Sequence, residues 1–358
     1  MTFQLTMMTR EIASALALVA PVIDKSSAIP ILKTTRITIA NGIVEFIGTN
    51  TVQTIIARAA CSGSGAIAID AASLETKIRA LRQSDPVTLT QDDGFVTVSQ
   101  ARTRWKTPCL PASDFPGQVA DPVNGEVVKV GPEFMDALER AATCVDQNEP
   151  REYLRGVHLA DVVVSTDGRS MAMLDGLAIM PGVTVPIAPI KAIASMKAAT
   201  ATVSESAIQF ASEWITIKTQ LVAGNYPQFR RVVPVDMPGV ALVDRKEFMA
   251  SASRASAIRA DNEKSGSFIP LDIKIRDGEI ELAATNREGE EGSDFVPCER
   301  QSGDDADIRV SGSLLIRAIQ SLDCDTIRIE YRDHMSPVMI SPVASDRENI
   351  RIVMPRQK

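Results

Sequence analysis

The residues able to carry out acid–base or nucleophilic chemistry are few in this chain, and they form no recognised catalytic pattern. Its two histidines, His158 and His334, both fall in segments that resemble strands. The sequence contains no paired histidines at helical spacing, no glycine-rich phosphate loop and no nucleophile-elbow serine. Asp167-Gly168 could place a carboxylate at a strand end, but this dipeptide is more often simply a turn. An enzyme, with a hydrolase as the leading alternative, is therefore disfavoured.

The cysteines also argue against a metal or disulfide site. They are odd in number, widely spaced and free of any C-x-x-C pair: Cys61, Cys109, Cys144, Cys298 and Cys324. We therefore predict no metal, no cofactor and a reducing, cytoplasmic compartment. The apolar run from Ile12 to Ile23 follows Glu11 and is interrupted by Ser14, so we interpret it as a buried helix face rather than a signal peptide or membrane span.

The composition is that of a globular protein with aliphatic cores. Of its 358 residues, 45% are hydrophobic but only 4% are aromatic, which suits sheets covered by helices of small residues. The formal net charge of −7 argues against strong affinity for phosphate. With 38 basic and 45 acidic residues, however, the chain can still gather one sign of charge on one face.

The elements that must position any site follow a threefold repeat. Small turns at Thr49-Asn50, Thr166-Asp167 and Thr285-Asn286 recur at spacings of 117 and 119 residues. A pair of alternating strands precedes each turn, and further short strands close each copy, as in Val87 to Ser99. One unit of helix, strands, helix and strands is therefore about 118 residues long.

Two amphipathic helices are predicted in each copy. The apolar positions of the first helix are Ile12, Leu16 and Val19, then Phe134, Leu138, Ala141 and Val145, then Phe248, Ala252 and Ala255. Those of the second helix are Leu74, Ile78 and Leu81, then Ile190 and Ile193, then Leu315, Ile319 and Leu322.

The predicted fold class is α+β, with three repeated domains in which two helices pack on antiparallel strands. A helix with one apolar stripe must bury it against a sheet. The proline-rich stretches Leu110 to Pro122 and Pro234 to Gly239 are the expected joints. The predicted domains are residues 1–122, 123–236 and 237–358.

The polar faces of these helices carry recurring arginines. At 100° per residue, Arg140 and Arg254 fall opposite the apolar stripes of the first helices, and Arg79 and Arg317 do so in the second helices. Surface helices often carry basic residues, so an ordinary solvated face explains each of them equally well. Their repetition favours a shared function.

Several motifs, spread over the whole chain in a fixed order, resemble those of one family. They are Ile29-Pro30-Ile31-Leu32, Gly48-Thr49-Asn50, the stretch from Leu110 to Pro116, the stretch from Tyr153 to Val157, Thr166-Asp167-Gly168, the stretch from Gly224 to Pro234, Asn262-Glu263-Lys264 and Val353-Met354-Pro355. Together they resemble the β subunit of bacterial DNA polymerase III, the β sliding clamp family.

This resemblance implies a non-catalytic processivity factor. Two chains would join head to tail into a ring of six similar domains, the DNA clamp fold. Such a heterologous contact must either close or continue as a filament, and closure leaves no interface free. Helices would line the hole and touch double-stranded DNA without regard to sequence. The implied DNA-facing residues are Lys25, Arg79, Arg140, Tyr153, Arg254 and Arg317.

The resemblance also implies two protein interfaces. Replicative polymerase, clamp loader and other proteins with clamp-binding linear motifs would dock in a pocket between the second and third domains, and no membrane is involved. The implied lining is Leu154, Thr166, Gly168, Met171, Pro227, Arg231, Val232, Val353, Met354 and Pro355, for which ordinary core packing is the alternative interpretation. The implied dimer contacts are Trp105, Ala257 and Ile258.

Three departures from the family pattern affect these expectations. Arg169-Ser170 follows Thr-Asp-Gly where the family usually has His-Arg, which alters a polar wall of the pocket. Glu152-Tyr153 replaces two adjacent tyrosines, and the tail ends in Arg356-Gln357-Lys358 rather than in an apolar residue. A clamp-like scaffold that recruits partners without productively encircling DNA is therefore a second hypothesis.

Overall fold

A computed structural model describes residues 3–117, 121–175, 180–197, 199–258, 270–286, 289–344 and 349–356. The motif Asn262-Glu263-Lys264 lies outside these residues. Six α-helices occur in this part of the chain: α1 (Thr9–Val19), α2 (Ala71–Ala80), α3 (Pro132–Ala141), α4 (Ile190–Ala194), α5 (Arg245–Ala255) and α6 (Gly312–Gln320). None of these helices is long and apolar enough to cross a membrane.

The described chain is dominated by short strands. The first twelve are β1 (Gln4–Met8), β2 (Thr34–Ala40), β3 (Ile43–Thr49), β4 (Gln53–Ala60), β5 (Ser62–Asp70), β6 (Pro86–Asp92), β7 (Phe95–Gln100), β8 (Thr103–Pro111), β9 (Glu126–Val130), β10 (Gly156–Leu159), β11 (Val162–Thr166) and β12 (Ser170–Asp175). The others are β13 (Val183–Pro186), β14 (Ala199–Val203), β15 (Ala207–Ala211), β16 (Ile215–Gln220), β17 (Gly239–Asp244), β18 (Pro270–Ile275), β19 (Glu279–Thr285), β20 (Glu291–Ser302), β21 (Ala306–Ser311), β22 (Thr326–Tyr331), β23 (Val338–Pro342) and β24 (Ile350–Val353).

The chain divides into two compact units. The first contains residues 1–135 and 188–221, and the second contains residues 136–187 and 222–358. The sheet of the first unit has the strand order β1-β6-β7-β8-β5-β2-β3-β4-β16-β15-β14-β9, with β1 also paired to β5. The sheet of the second unit has the order β13-β10-β11-β12-β24-β23-β22-β17-β20-β19-β18-β21. Each sheet draws strands from two of the predicted repeats, whose boundaries remain a prediction.

The three predicted turns are confirmed. Strand β3 ends at Thr49, β11 at Thr166 and β19 at Thr285, the positions at which the small turns were expected. The apolar stripes are also confirmed, because Ile12, Leu16 and Val19 of α1 and Phe248, Ala252 and Ala255 of α5 are buried. Helix α1 packs against α2, and α5 packs against α6.

Helix α4 is much shorter than its predicted counterparts α2 and α6. It spans only five residues, Ile190–Ala194, although Ile190 and Ile193 are buried as expected. Pro189 precedes it, and Lys197 adopts a positive φ of 61° soon after it ends. A residue in this left-handed region cannot continue a right-handed helix, so the second repeat retains only one turn.

Asp70 and Asp244 begin the helices α2 and α5 as N-caps. The Asp70 carboxylate accepts a hydrogen bond from the backbone N–H of Ser73, and that of Asp244 accepts one from the backbone N–H of Glu247. These bonds satisfy donors that a first helical turn leaves unpaired. One sequence prediction is wrong: His334 lies in a turn after β22, whereas His158 lies in β10 as expected.

Candidate functional site

The second unit contains a hollow of about 220 Å³, here called the apolar pocket. Its walls come from the 3₁₀ turn before β10, the β11–β12 turn, the segment from Pro227 to Val232, and β24 with its continuation. The lining residues are Arg151, Leu154, Thr166, Gly168, Ser170, Met171, Pro227, Gln228, Phe229, Val232, Ile352 and Met354. Most are aliphatic, aromatic or thioether side chains, so the pocket suits an apolar anchor.

The floor of the pocket is one face of the sheet. Met171 of β12 pairs with Ile352 of β24, and both side chains are buried. They belong to a core cluster with Val162, Val164, Met173, Met339 and Ile350, against which Tyr226, Phe229, Val233 and Met237 pack. Alternation along β24 fixes this face, because side chains two residues apart point to the same side.

The opposite face of β24 explains why Val353 does not line the pocket. Val353 is fully buried in the core formed by α5, α6 and their strands. Arg351, on the same face, is also fully buried, and its Nε donates to Ser321 Oγ at 2.5 Å beside the end of α6. Burial lowers the pKa of the Arg351 guanidinium to about 10. Val353, which was predicted to line the pocket, therefore does not line it, since Val353 and Ile352 point to opposite faces of β24.

The turn from Thr166 to Ser170 is held by the carboxylate of Asp167. Its Oδ1 accepts hydrogen bonds from the Ser170 N–H at 2.6 Å and from the Arg169 N–H at 2.9 Å. Thr166 Oγ1 donates to the Ser170 carbonyl at 2.7 Å. Gly168 adopts a positive φ of 77°, which favours glycine. These bonds fix the lining atoms of Thr166, Gly168 and Ser170.

Arg151 covers the same turn. A Cβ atom added at Gly168 would lie 2.5 Å from Arg151 Nη2, so a larger residue would require the guanidinium to move from its present position. Arg151 Nε donates to Glu149 Oε1 at 2.6 Å, and Nη2 donates to the Asp167 carbonyl at 3.1 Å. The Arg151 hydrogen bond lowers the pKa of the buried Glu149 carboxyl. The pocket therefore has a fixed cation in its wall.

Aromatic rings support the other wall. Tyr226 stacks on His158 with ring centroids 4.4 Å apart, and Phe229 meets each of them edge-on at 6.3 Å. Burial raises the pKa of the Tyr226 phenol and lowers that of the His158 imidazole, so both rings are uncharged at neutral pH. The stack holds Phe229 against the pocket as a rigid apolar surface.

A second hollow of about 240 Å³ adjoins the apolar pocket and shares Met354 with it. Its lining residues are Arg169, Ser311, Leu314, Met354, Pro355 and Arg356. The chain after β24 is fixed here, because the Met354 N–H donates to the Arg169 carbonyl at 2.8 Å and the Arg356 N–H donates to the Arg309 carbonyl at 2.7 Å. We call this space the C-terminal hollow.

The structure gathers seven of the ten predicted peptide-contact residues around the apolar pocket: Leu154, Thr166, Gly168, Met171, Pro227, Val232 and Met354. Pro355 lines the C-terminal hollow instead. Arg231 is exposed on the 3₁₀ segment Phe229–Val232 and does not line either hollow. Five residues of the pocket lining were not predicted as such: Arg151, Ser170, Gln228, Phe229 and Ile352. Phe229 lies within the quoted stretch from Gly224 to Pro234, and Ile352 directly precedes Val353.

The arginines predicted to face DNA are all paired with carboxylates. Arg79 bonds Glu75 at 2.6 Å, Arg140 bonds Asp136 at 2.8 Å, and Arg254 bonds Asp294 at 2.5 Å. The Arg317 guanidinium lies 3.8 Å from the buried Asp167 carboxylate, and Lys25 lies 4.0 Å from Glu75. Tyr153 is half-buried beside Gly224. The helix faces were expected to be basic, but nearby carboxylates partly neutralise these cations.

Two strand edges bear on the predicted dimer contacts. Residues 103–108 of β8 pair only with β7, and residues 291–297 of β20 pair only with β19, among the described strands. Trp105 pairs with the buried Val98. Ile258 packs beside β20, where a Cβ added at Gly292 would lie 3.3 Å from its Cγ2. Ala257 is exposed at the end of α5. Each edge thus has an apolar side chain on or beside it.

Within the described residues no group of three or more His, Cys, Asp or Glu side chains could hold a metal ion. The same part of the chain holds five free cysteines, of which Cys144 is buried.

Comparison with known proteins agrees with this architecture. A family model for the DNA polymerase III beta subunit, N-terminal domain, matches residues 3–120, and one for the C-terminal domain of the same subunit matches residues 230–357. The beta sliding clamp of Caulobacter vibrioides (strain NA1000 / CB15N) is 24% identical over 360 residues, covering 94% of this chain and 95% of that protein. That of Proteus mirabilis is 25% identical over 338 residues, covering 88% and 90%.

Solved structures show the same fold. The sliding clamp from Bartonella birtlesii, crystallised with griselimycin, has a TM-score of 0.89 at 22% identity and covers 100% of both chains. The sliding clamp from Bacillus subtilis has a TM-score of 0.86 at 16% identity and also covers 100% of both. With both terminal domains matched and its whole length aligned to clamps, the chain belongs to the DNA polymerase III beta subunit family and has the sliding clamp fold.

Proposed function

We propose that this protein is a DNA polymerase processivity factor. Two chains form a ring that encircles duplex DNA and slides on it, and the ring tethers the replicative polymerase, the clamp loader and other partners. It is a non-catalytic subunit and works in the bacterial cytoplasm. The observation that carries the proposal is the apolar pocket, because seven of the residues expected to bind partner peptides line this one hollow.

The pocket is suited to a short linear motif. Its buried floor, Met171 and Ile352, lies beneath the more exposed Val232 and Met354, so an apolar side chain of an extended peptide can enter from solvent. Methionine side chains adapt their shape to different anchors. A tether of this kind must accept several partners in turn, which such a lining permits.

The two free strand edges support ring closure. A free edge exposes unpaired backbone groups and is an aggregation hazard unless another strand covers it. The β8 edge carries Arg104 and Lys106, whereas the β20 edge carries Glu291 and Asp294. Opposite charges on the two edges favour head-to-tail pairing of two chains over pairing of identical edges.

The paired arginines support weak, mobile contact with DNA. A guanidinium that already bonds a carboxylate contributes less binding free energy when it contacts a phosphate than an unpaired guanidinium does. Sequence-independent contacts of this strength let a closed ring slide, while topology prevents its escape.

The experiment is a loading assay on circular primed DNA with a clamp loader. We expect the protein to co-elute with the circle, to leave once the circle is cut, and to raise polymerase processivity. The pocket variant Met171→Glu should fail both to be loaded onto the circle and to support processive synthesis, because the clamp loader and the polymerase are proposed to dock in the same pocket. Retention on the cut, linear DNA would contradict a topological link.

A clamp-like scaffold that does not productively encircle DNA is a second candidate. It is favoured by the pairing of every predicted DNA-facing arginine with an acid, and by Glu152, whose side chain is 81% exposed. In that case the protein would bind partner peptides with normal affinity but would never be retained on circular DNA.

A further inference from the structure

The carboxylate of Asp167 has two oxygens in different surroundings. Oδ1 holds the turn beside the apolar pocket, since it accepts hydrogen bonds from the N–H groups of Arg169 and Ser170 and from Ser170 Oγ at 3.0 Å. Oδ2 is buried and accepts no hydrogen bond from any residue that the structure describes. Arg317 Nη2 lies 3.8 Å from it. Because a buried carboxylate oxygen without a hydrogen bond is costly, the charge of Arg317 balances it over this distance.

Arg317 differs from the other arginines that are predicted to face DNA. The carboxylate beside it is fully buried, whereas the others pair with carboxylates that water still reaches: Glu75, Asp136 and Asp294. The Arg317 side chain is 38% exposed and donates no hydrogen bond within the described part of the chain. A phosphate that approaches from solvent can therefore draw this guanidinium away, and the carboxylate left behind is one that water does not solvate.

The backbone of Arg317 is fixed, so a change of partner falls on its side chain. Arg317 lies near the end of α6, where its carbonyl accepts a hydrogen bond from the Ser321 N–H at 3.3 Å. Ser321 in turn accepts two hydrogen bonds from the fully buried Arg351 of β24, one at its Oγ and one at its carbonyl. These bonds tie the end of α6 to the strand that pairs with β12. The guanidinium thus has two alternative partners, Asp167 and a phosphate, on a helix that stays in place.

We propose that Arg317 couples DNA in the ring to the apolar pocket, so that duplex DNA weakens peptide binding. The inference rests on the proposed function, because it needs both a DNA-facing helix and a peptide pocket. When a phosphate engages Arg317, the buried carboxylate of Asp167 loses its balancing charge and gains by turning toward water. That rotation releases the hydrogen bonds at Oδ1, and the turn from Thr166 to Ser170 no longer keeps the shape that lines the pocket.

The coupling acts in both directions. By thermodynamic linkage, a peptide that requires the ordered turn weakens DNA binding at Arg317 by the same factor. A partner docked in the pocket therefore loosens one contact between the ring and the duplex. Such a loss eases sliding while the partner is bound.

Peptide affinity measured with and without DNA tests the link. The probe is a fluorescein-labelled peptide with leucine and phenylalanine anchors, titrated with the full-length protein by fluorescence polarisation at low salt. A second set of titrations contains an unlabelled linear duplex at a concentration that saturates the protein, as checked beforehand with a labelled duplex. We expect the duplex to raise the peptide dissociation constant about 5-fold or more.

Variants assign the effect to one side chain. Arg317→Gln should imitate the DNA-bound state, so it should bind the peptide about 5-fold or more weakly without DNA and change by less than about 2-fold when DNA is added. Arg317→Lys keeps a charge within reach of Asp167 and should recover part of the wild-type response. Arg79→Gln is the matched control, because this predicted DNA-facing arginine bonds Glu75 instead, and it should show the full response in saturating duplex. Arg328→Gln removes an ion pair on β22 and should behave like wild type.

The outcomes separate the link from the proposed function. Equal peptide affinity with and without saturating duplex would overturn the link and leave the apolar pocket in place as a docking site. An Arg317→Gln protein that loses as much peptide affinity on addition of DNA as the wild type does would also overturn it, because DNA would then act by another route. A peptide that fails to bind without DNA, or a duplex that fails to bind at low salt, would overturn the proposed function as well.

Discussion

Phe295 provides a quantitative test of the proposed ring. It lies on the free edge of β20, is 53% exposed and alternates with Asp294, which bonds Arg254 on the opposite face. If this edge pairs with the β8 edge of a second chain, the second chain covers the exposed part of the Phe295 phenyl group. Phe295→Ala should therefore weaken the dimer without unfolding the monomer.

The magnitude follows from the area available. A phenylalanine buries about 200 Å² when fully covered, so a side chain that is 53% exposed leaves roughly 100 Å² for the partner. At about 25 cal/mol per Å², covering it contributes about 2.5 kcal/mol per contact. A closed dimer has two such contacts, so the loss is about 5 kcal/mol, or several thousand-fold in the dimer dissociation constant.

Sedimentation velocity over a dilution series measures this constant directly. Trp214→Ala is the matched control, because Trp214 is an aromatic residue with 43% exposure that lies between β15 and β16 and belongs to neither free edge. The Trp214→Ala dimer should dissociate over the same concentration range as the wild-type dimer. If Phe295→Ala also did so, the edge of β20 would not be the dimer contact and the area argument would fail.

Three further predictions address other parts of the molecule. Trp105→Ala should weaken the dimer by about 10-fold or more, measured by the same dilution series, because aromatic anchors often dominate interface energy. Glu149→Gln should lower stability to chemical denaturation at neutral pH by about 1 to 3 kcal/mol, since it breaks a part-buried charged hydrogen bond. The folded state lowers the pKa of Glu149, so its stabilisation is present above the ordinary glutamate value of about 4.3 and is lost as pH falls through the folded pKa. Denaturation curves recorded at decreasing pH should therefore show the stabilities of wild type and Glu149→Gln converging there. A stability difference that stays constant with pH would contradict the linkage. Arg79→Gln with Arg254→Gln should reduce the salt dependence of duplex binding by about 1 to 2 in logarithmic slope, with Arg328→Gln unchanged.

The repeat made much of the fold predictable. The strand ends at Thr49, Thr166 and Thr285 followed from threefold self-similarity, because equivalent turns need equivalent residues. The buried stripes of α1 and α5 followed from helical spacing. What spacing could not show was the length of α4, which is limited by Pro189 and by the backbone at Lys197.

The site was predictable only where family motifs and strand alternation agreed. Val353 and Met354 are adjacent in one motif, yet Val353 is buried in the helix-covered core and Met354 lines the pocket. Ile352, on the pocket side of β24, was missed for the same reason. The ion pair of Arg254 was also beyond sequence reasoning, because its partner Asp294 is a carboxylate 40 residues further along the chain.

The pairing of β12 with β24 sets the order in which the protein can fold during synthesis. Ser170 lies opposite Val353 in this pairing, so strands made early must wait for about 180 more residues to leave the ribosome. Until then the backbone groups on the outer edge of β12 remain unpaired and can form hydrogen bonds with non-native strands. A fragment that stops at a boundary between repeats would keep such an edge permanently, so we expect single repeats expressed alone to aggregate.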